Sequence, residues 1–266
     1  FGQASSGEIV VNGGTVKKAV GAYEGADAKV TVTGGIVGSA DSWGVYVANG
    51  ASATVSGGTV YGYTQATGES STLSITGGSF SYDSGDTYTP EGKTLRDFDG
   101  DGLYTLVDEV TVTFNTDGGT AIDNQVIAAS EKATRPATDP TKADYVFAGW
   151  YVGQTEFDFD TAINEDTTIT AKWTAAVASI TTGDPAVTTY YTTLEAAVAA
   201  ASEGDTITMI ANSTEDAFTI NKGVTIDLNG YTVTESGVIK VTSGATTIKD
   251  SSDPSTGKID FTKADD

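Results

Sequence analysis

The sequence predicts an all-β-dominated chain. Coils of a parallel β-solenoid come first, a small aromatic module next, and the helix-capped start of a second solenoid last. Three observations carry this. A phrase built on a double glycine recurs four times before residue 81, the composition changes at Val110, and a second series of short alternating runs follows one helical pattern near residue 194.

The repeated phrase is VVNGGTV at 10–16, TVTGGIV at 31–37, ATVSGGTV at 53–60 and SITGGSF at 74–80. Its first glycines are Gly13, Gly34, Gly57 and Gly77, at spacings of 21, 23 and 20 residues. Ile9, Val30, Ala53 and Leu73 stand four positions before them, and Val11, Val32, Val55 and Ile75 two before. Val16, Val37, Val60 and Phe80 stand three after. Alternation of apolar and polar residues is the period of a strand with one buried face, and glycine allows a corner because positive φ costs it nothing. A coil of about 20 residues repeated in tandem is the signature of a solenoid. An antiparallel sandwich also alternates, but gives no reason for a near-constant period with matched glycines. Stacking would set each column about 4.8 Å apart along the coil axis, and each coil would bury about three aliphatic side chains worth roughly 1.5–3 kcal/mol apiece.

Between the repeats, Trp43, Tyr46, Tyr61 and Tyr63 form the candidate ligand-binding group, rings able to stack on sugars. Cross-coil packing of those rings competes with that reading, since aromatic pairs stabilise sheets. Next comes RDFDGDGLYTLVDE at 96–109, in which Asp97, Asp99, Asp101, Gly102 and Asp108 have the spacing of a calcium loop. Its flanks lack helical period, and LYTLV reads as a strand. A β-hairpin turned by Asp-Gly-Asp-Gly is therefore expected, with no metal site.

From Val110 the double-glycine rhythm stops. The elements VTFNTDGGT (112–120), DPTKADYVFAGWY (139–151), FDFDTAINEDTTI (157–169) and AKW (171–173) follow. Together they resemble the Listeria–Bacteroides repeat family of internalin B-repeat-like modules. The resemblance implies a small β-grasp-like fold over 110–174, set in series within bacterial surface proteins, with no catalytic residue to carry over. Phe147, Trp150 and Trp173 are expected to build its core, because so small a domain needs large side chains.

The remaining segment, 175–266, opens with a hairpin around TGDP and then a helix in TLEAAVAAASEG, where Thr192 and Glu195 have capping-box spacing and Gly204 ends the run. Leu194, Ala197, Val198 and Ala201 make one apolar stripe suited to covering the open end of a β-stack. YYTTLEAAVAAASEGDTITMI and GVTIDLNGYTV resemble the start of right-handed parallel β-helix proteins of the pectate-lyase-like superfamily, and the coils of 1–109 resemble the far end of one. Apolar columns beginning at Ile226 and Val233 have few successors, so either a piece of a longer chain or an open end docked on a neighbouring molecule is expected.

Chemistry is sparse. The chain has neither cysteine nor histidine, and 36 acids against 14 bases give a net charge of −22. That balance speaks against nucleic acid and anionic membranes as partners. The usual Ser-His and Cys-His pairs and common zinc sites are unavailable. Arg96 and Arg135 lie outside the ladders, and the carboxylates Asp158, Asp160 and Asp227 read as solvated faces rather than glycosidase acids. The expectation is therefore a structural or adhesive segment of a bacterial extracellular surface protein, without catalytic residues or cofactor. Its expected partners are neighbouring copies stacked head to tail into filaments, glycans, or surface proteins. The alternative is a glycan-binding β-helix module, with a polysaccharide lyase or hydrolase behind it.

Overall fold

The computed structural model describes residues 2–82, 86–97 and 99–261. In the first stack, β1 (Gly2–Ala4), β2 (Gly7–Val16), β3 (Val20–Ala22), β4 (Ala28–Ala48), β5 (Ser52–Thr67) and β6 (Thr72–Phe80) pair in parallel. Val11, Val32, Val55 and Ile75 are successive register partners, exposed by only 6%, 0%, 0% and 0%. Ile9–Val30–Ala53–Leu73 and Val16–Val37–Val60–Phe80 form two further columns by the same pairing. These parallel ladders exclude the antiparallel sandwich for this segment.

Each glycine of the pair has its own reason. A Cβ on the first would stand 2.9 Å from the Asn12 carbonyl oxygen at Gly34, 2.5 Å from that of Thr33 at Gly57, and 2.6 Å from that of Ser56 at Gly77. The second glycine holds positive φ in every coil: +71° at Gly14, +82° at Gly35, +81° at Gly58 and +101° at Gly78. Only glycine adopts that backbone without strain. In the first coil no atom lies within 4 Å of either added Cβ, at Gly13 or at Gly14. The sequence suggests a corner between two strands here. The structure instead carries one strand through the pair, with register shifts on its near side, as in a β-bulge.

The far end of this stack is covered. β7 (Lys93–Arg96) and β8 (Tyr104–Asn115) form an antiparallel hairpin, from Lys93 opposite Asp108 to Arg96 opposite Thr105. β8 also pairs antiparallel with β6, and Leu95 joins Phe80 in the buried cluster. The acidic stretch is thus a hairpin connection. β9 (Gln125–Ala128) pairs antiparallel with β8.

β10 (Tyr145–Val152), β11 (Thr155–Glu156) and β12 (Thr167–Ala175) make antiparallel pairs around a bulge at Phe147/Gly149. Trp150 is buried, with its ring 5.1 Å from Phe114 and 5.4 Å from Phe147, and Phe147 is 5.6 Å from Trp173. Of the three rings expected in the core, Trp150 is buried, while Phe147 and Trp173 pack beside it half-buried. The Trp173 indole N–H donates to the Thr116 carbonyl at 3.0 Å, and a Cβ on Gly119 would lie 2.5 Å from its ring. The Asp-Gly-Gly turn therefore leaves room for the tryptophan. By contact density the chain divides into two compact units: Phe1–Val112 with Gln125–Ala133 and Phe159–Thr167, and Thr113–Asn124 with Thr134–Asp158 and Thr168–Asp266.

The second stack begins with the antiparallel hairpin β13 (Ala178–Thr182) and β14 (Val187–Tyr191), turned at TGDP. Helix α1 (Leu194–Ala200) follows. A first coil holds β15 (Thr206–Met209), β16 (Ser213–Glu215) and β17 (Thr219–Ile220). A second holds β18 (Thr225–Asp227), β19 (Thr232–Glu235) and β20 (Lys240–Val241), and a third β21 (Thr247–Lys249) and β22 (Lys258–Phe261). Their ladders are parallel: Ile207–Ile226–Ile248, Ser213–Val233–Ile259 and Ile220–Val241. The columns at Ile226 and Val233 thus gain one successor each, and Ile248 is 52% exposed. Helix α1 packs on β15, β16 and β17 and buries Leu194, Ala197 and Val198; β16 and β17 lead their columns, while β13 pairs antiparallel with β15 ahead of it. The N-cap is Thr193, whose hydroxyl accepts from the Ala196 N–H at 3.0 Å, rather than Thr192.

Gly57→Ala should cost about 1–3 kcal/mol, because the new methyl meets the backbone of the preceding coil. Gly13→Ala, with open space around it, should stay within about 0.5 kcal/mol. Urea unfolding of both variants checks the contrast.

Candidate functional site

The aromatic residues between the repeats come together on one outer face. Trp43 on β4 and Tyr63 on β5 are register partners, their rings 5.7 Å apart. Tyr46 lies 5.0 Å from Trp43, and its hydroxyl is 2.6 Å from that of Thr67 one coil on. The row extends beyond the four candidate residues. Tyr23 lies 5.2 Å from Tyr46, and Tyr82 lies 4.6 Å from Tyr63. Burial, and then the nearness of Tyr46, push the Tyr23 hydroxyl above the usual tyrosine range. Tyr61 forms no ring pair among the described residues, and its carbonyl instead closes over Gly38, where a Cβ would be 2.1 Å away. The spacing of one coil from Tyr63 to Tyr82, and from Tyr23 to Tyr46, was the available signal for the two added rings.

Trp43, Tyr63 and Tyr82 remain 40%, 48% and 46% exposed. Trp43 with Tyr46 and Tyr63 with Tyr82 pack edge to face at 68° and 63°, and Trp43 with Tyr63 is tilted at 58°. Such pairs add about 0.5–1.5 kcal/mol beyond area burial. They offer separate ring surfaces instead of one flat platform. Tyr63, Thr64, Gln65, Tyr82 and Tyr88 enclose a recess of about 170 Å³ beside the row.

The hairpin loop gathers Asp97, Asp99 and Asp101, with one carboxylate oxygen of each within 4.8 Å of the others. Their oxygens accept backbone N–H groups of the loop itself, including Gly100 and Gly102 on Asp97 and Leu103 on Asp101. These bonds account for the acids as turn formers.

The other acids weighed from sequence are dispersed. Asp160 pairs with Lys132 at 2.9 Å in solvent, and Asp158 is exposed. Asp227 is buried against Lys249 at 3.2 Å; burial raises its pKa, but hydrogen bonds from Ser251, Lys249 and Asn229 outweigh that and hold it below the ordinary value. Arg96 engages Glu131 at 3.2 Å and Arg135 engages Asp139 at 2.7 Å. In the other unit, Trp173, Phe147, Tyr145, Lys142 and Tyr190 contribute to a cleft of about 550 Å³, and the Lys142 ammonium lies 4.7 Å from the Tyr145 ring centre.

Residues 111–172 match the Listeria-Bacteroides repeat domain. It is a repeat found in bacterial surface proteins. No curated protein and no solved structure matches the chain. No helix among the described residues is long and apolar enough to cross a membrane.

Proposed function

We propose that this chain is a structural segment of a bacterial extracellular surface protein, in which solenoid coils extend a surface assembly by stacking. The observation that supports this best is the surface-protein repeat at 111–172 set in series with two stacks of parallel coils. Each coil lends its neighbour backbone partners and apolar columns, so coils add without any new chemistry. Among the described residues, β2 of the first coil pairs only with β4, and β21 and β22 of the third pair only with β18 and β19. Edges of this kind accept a further strand, and a head-to-tail contact between copies gives an open filament.

A second reading, glycan binding on the face of Trp43 and Tyr63, is favoured by the large exposed fraction of those rings. Hexose rings stack on single aromatic faces, and the acids of the surface accept their hydroxyls.

Light scattering and negative-stain electron microscopy at rising concentration should show linear assemblies that grow with salt, since screening weakens repulsion between chains of net charge −22. Val10→Lys, which places a charge at a position 56% exposed on β2, should suppress them. Particles that stay monomeric at every concentration contradict the filament reading. A glycan array compares the native chain with Trp43→Ala; signal lost in the variant supports the second reading, and no signal from the native chain ends it.

A further inference from the structure

The second stack carries a pair of carboxyl groups that the sequence reading passed over. Glu215 on β16 and Glu235 on β19 are register partners in consecutive coils, only 3% and 1% exposed. Strands in a parallel ladder lie about 4.8 Å apart, so the two side chains leave neighbouring backbones on the same inward face. Glu215 has a defined task. One of its oxygens accepts the Leu194 N–H at 2.7 Å and the other the Glu195 N–H at 3.3 Å, which ties the first turn of α1 to the first coil. Backbone N–H groups at a helix start favour a negatively charged acceptor.

Two like charges cannot both be kept in so dry a place, because desolvation and repulsion act together. With both oxygens of Glu215 taken by the helix start, the proton belongs on Glu235. We propose that Glu215 and Glu235 form a proton-dependent latch, in which protonated Glu235 lets the Glu215 carboxylate hold α1 over the leading edge of the stack.

Burial and the two neighbouring acids push the same way. Burial first, then Glu215, then Asp216 raise the Glu235 pKa to about 7 from an ordinary 4.5. Asp216 receives the Ser236 hydroxyl at 2.7 Å, so it stays beside the pair. On α1 the charged group in the first turn is Glu195, another acid. On β22, Lys258 and Asp260 face each other at 2.9 Å, more than half exposed. When Glu235 gives its proton to water, a second carboxylate forms beside the one that binds the helix.

The direction of the pH dependence follows. Between about 4.5 and about 7 the folded state holds a proton on Glu235 that the unfolded chain has released, so stability falls as pH rises through that window. Below it the contribution is complete, and above it the contribution is gone. Opening of α1 would uncover Leu194, Ala197 and Val198 together with Ile207 and Ile220, which share their cluster.

The test uses the full chain and the variant Glu235→Gln, which keeps the shape and cannot ionise. Amide protection of α1 in the native chain should fall on the order of tenfold or more between about pH 5.5 and about pH 8, after correction for intrinsic exchange, and stay level in Glu235→Gln. The proposal is overturned if native chain and variant lose protection equally, or if neither does. Should the variant fail to fold, the carboxyl ¹³C shift of Glu235 in the native chain decides. A midpoint near 7 supports the latch, and a midpoint near 4.5 removes it.

Discussion

From its second coil on, the first stack depends on one close approach: the backbone of one coil crosses the double glycine of the next with no room for a side chain. A Cβ at Gly57 would lie 2.5 Å from a carbonyl oxygen, well inside contact distance. Because that approach recurs at each coil, the apolar residues on either side are brought into register, and columns such as Val11–Val32–Val55–Ile75 become continuous. Side-chain burial then supplies the driving force, since aliphatic columns leave water together. Fold and repeat length are two consequences of one constraint.

A ladder of this kind creates a problem at each end, where strands lack partners. The two stacks meet it differently. After Phe80 the chain turns back as the β7–β8 hairpin, placing antiparallel partners on β6 and Leu95 against the core. Before Thr206 it pairs β13 with β15, lays α1 across the strands of the first coil and fixes the helix start through Glu215, a residue of that coil. In both cases apolar side chains plug the column and an antiparallel strand pairs with an end strand, β8 with β6 and β13 with β15. The aromatic module between them works on another scale. Its rings bury area that short strands could not otherwise supply, and the Gly119 turn exists to seat Trp173.

The columns were legible from the sequence because alternation and glycine spacing are local signals with a fixed period. The hairpin at 97–103 was legible for the same reason: its flanks alternate and do not turn helically. Other features depend on neighbours about 20 residues away and carry no local mark. The glycine pair reads as a corner, yet the strand runs through it as a bulge: pairing reaches its first glycine, with Asn12 opposite Gly34 and Ser56 opposite Gly77, and resumes two residues on. Thr192 and Thr193 are equivalent as letters; packing of Leu194 beneath the helix decides that Thr193 is the cap. Tyr23 and Tyr82 join the aromatic row by coil offset, while Tyr61 drops out because its backbone is pressed against Gly38. Glu215 and Glu235 look like ordinary polar positions of a strand, and only the register shows that they share one interior.

The central claim is the parallel register between coils, and the absence of native cysteine makes it directly measurable. Thr31 and Thr54 are register partners on the polar side of the ladder. Strand spacing of about 4.8 Å puts their Cα atoms within disulfide range, whereas a partner shifted by two residues falls beyond about 7 Å. Under mild oxidation the Thr31→Cys/Thr54→Cys chain should close a disulfide without loss of folded structure, while Thr31→Cys/Ser56→Cys should remain reduced. Equal closure of both pairs, or closure of the shifted pair alone, would contradict the stacked coils.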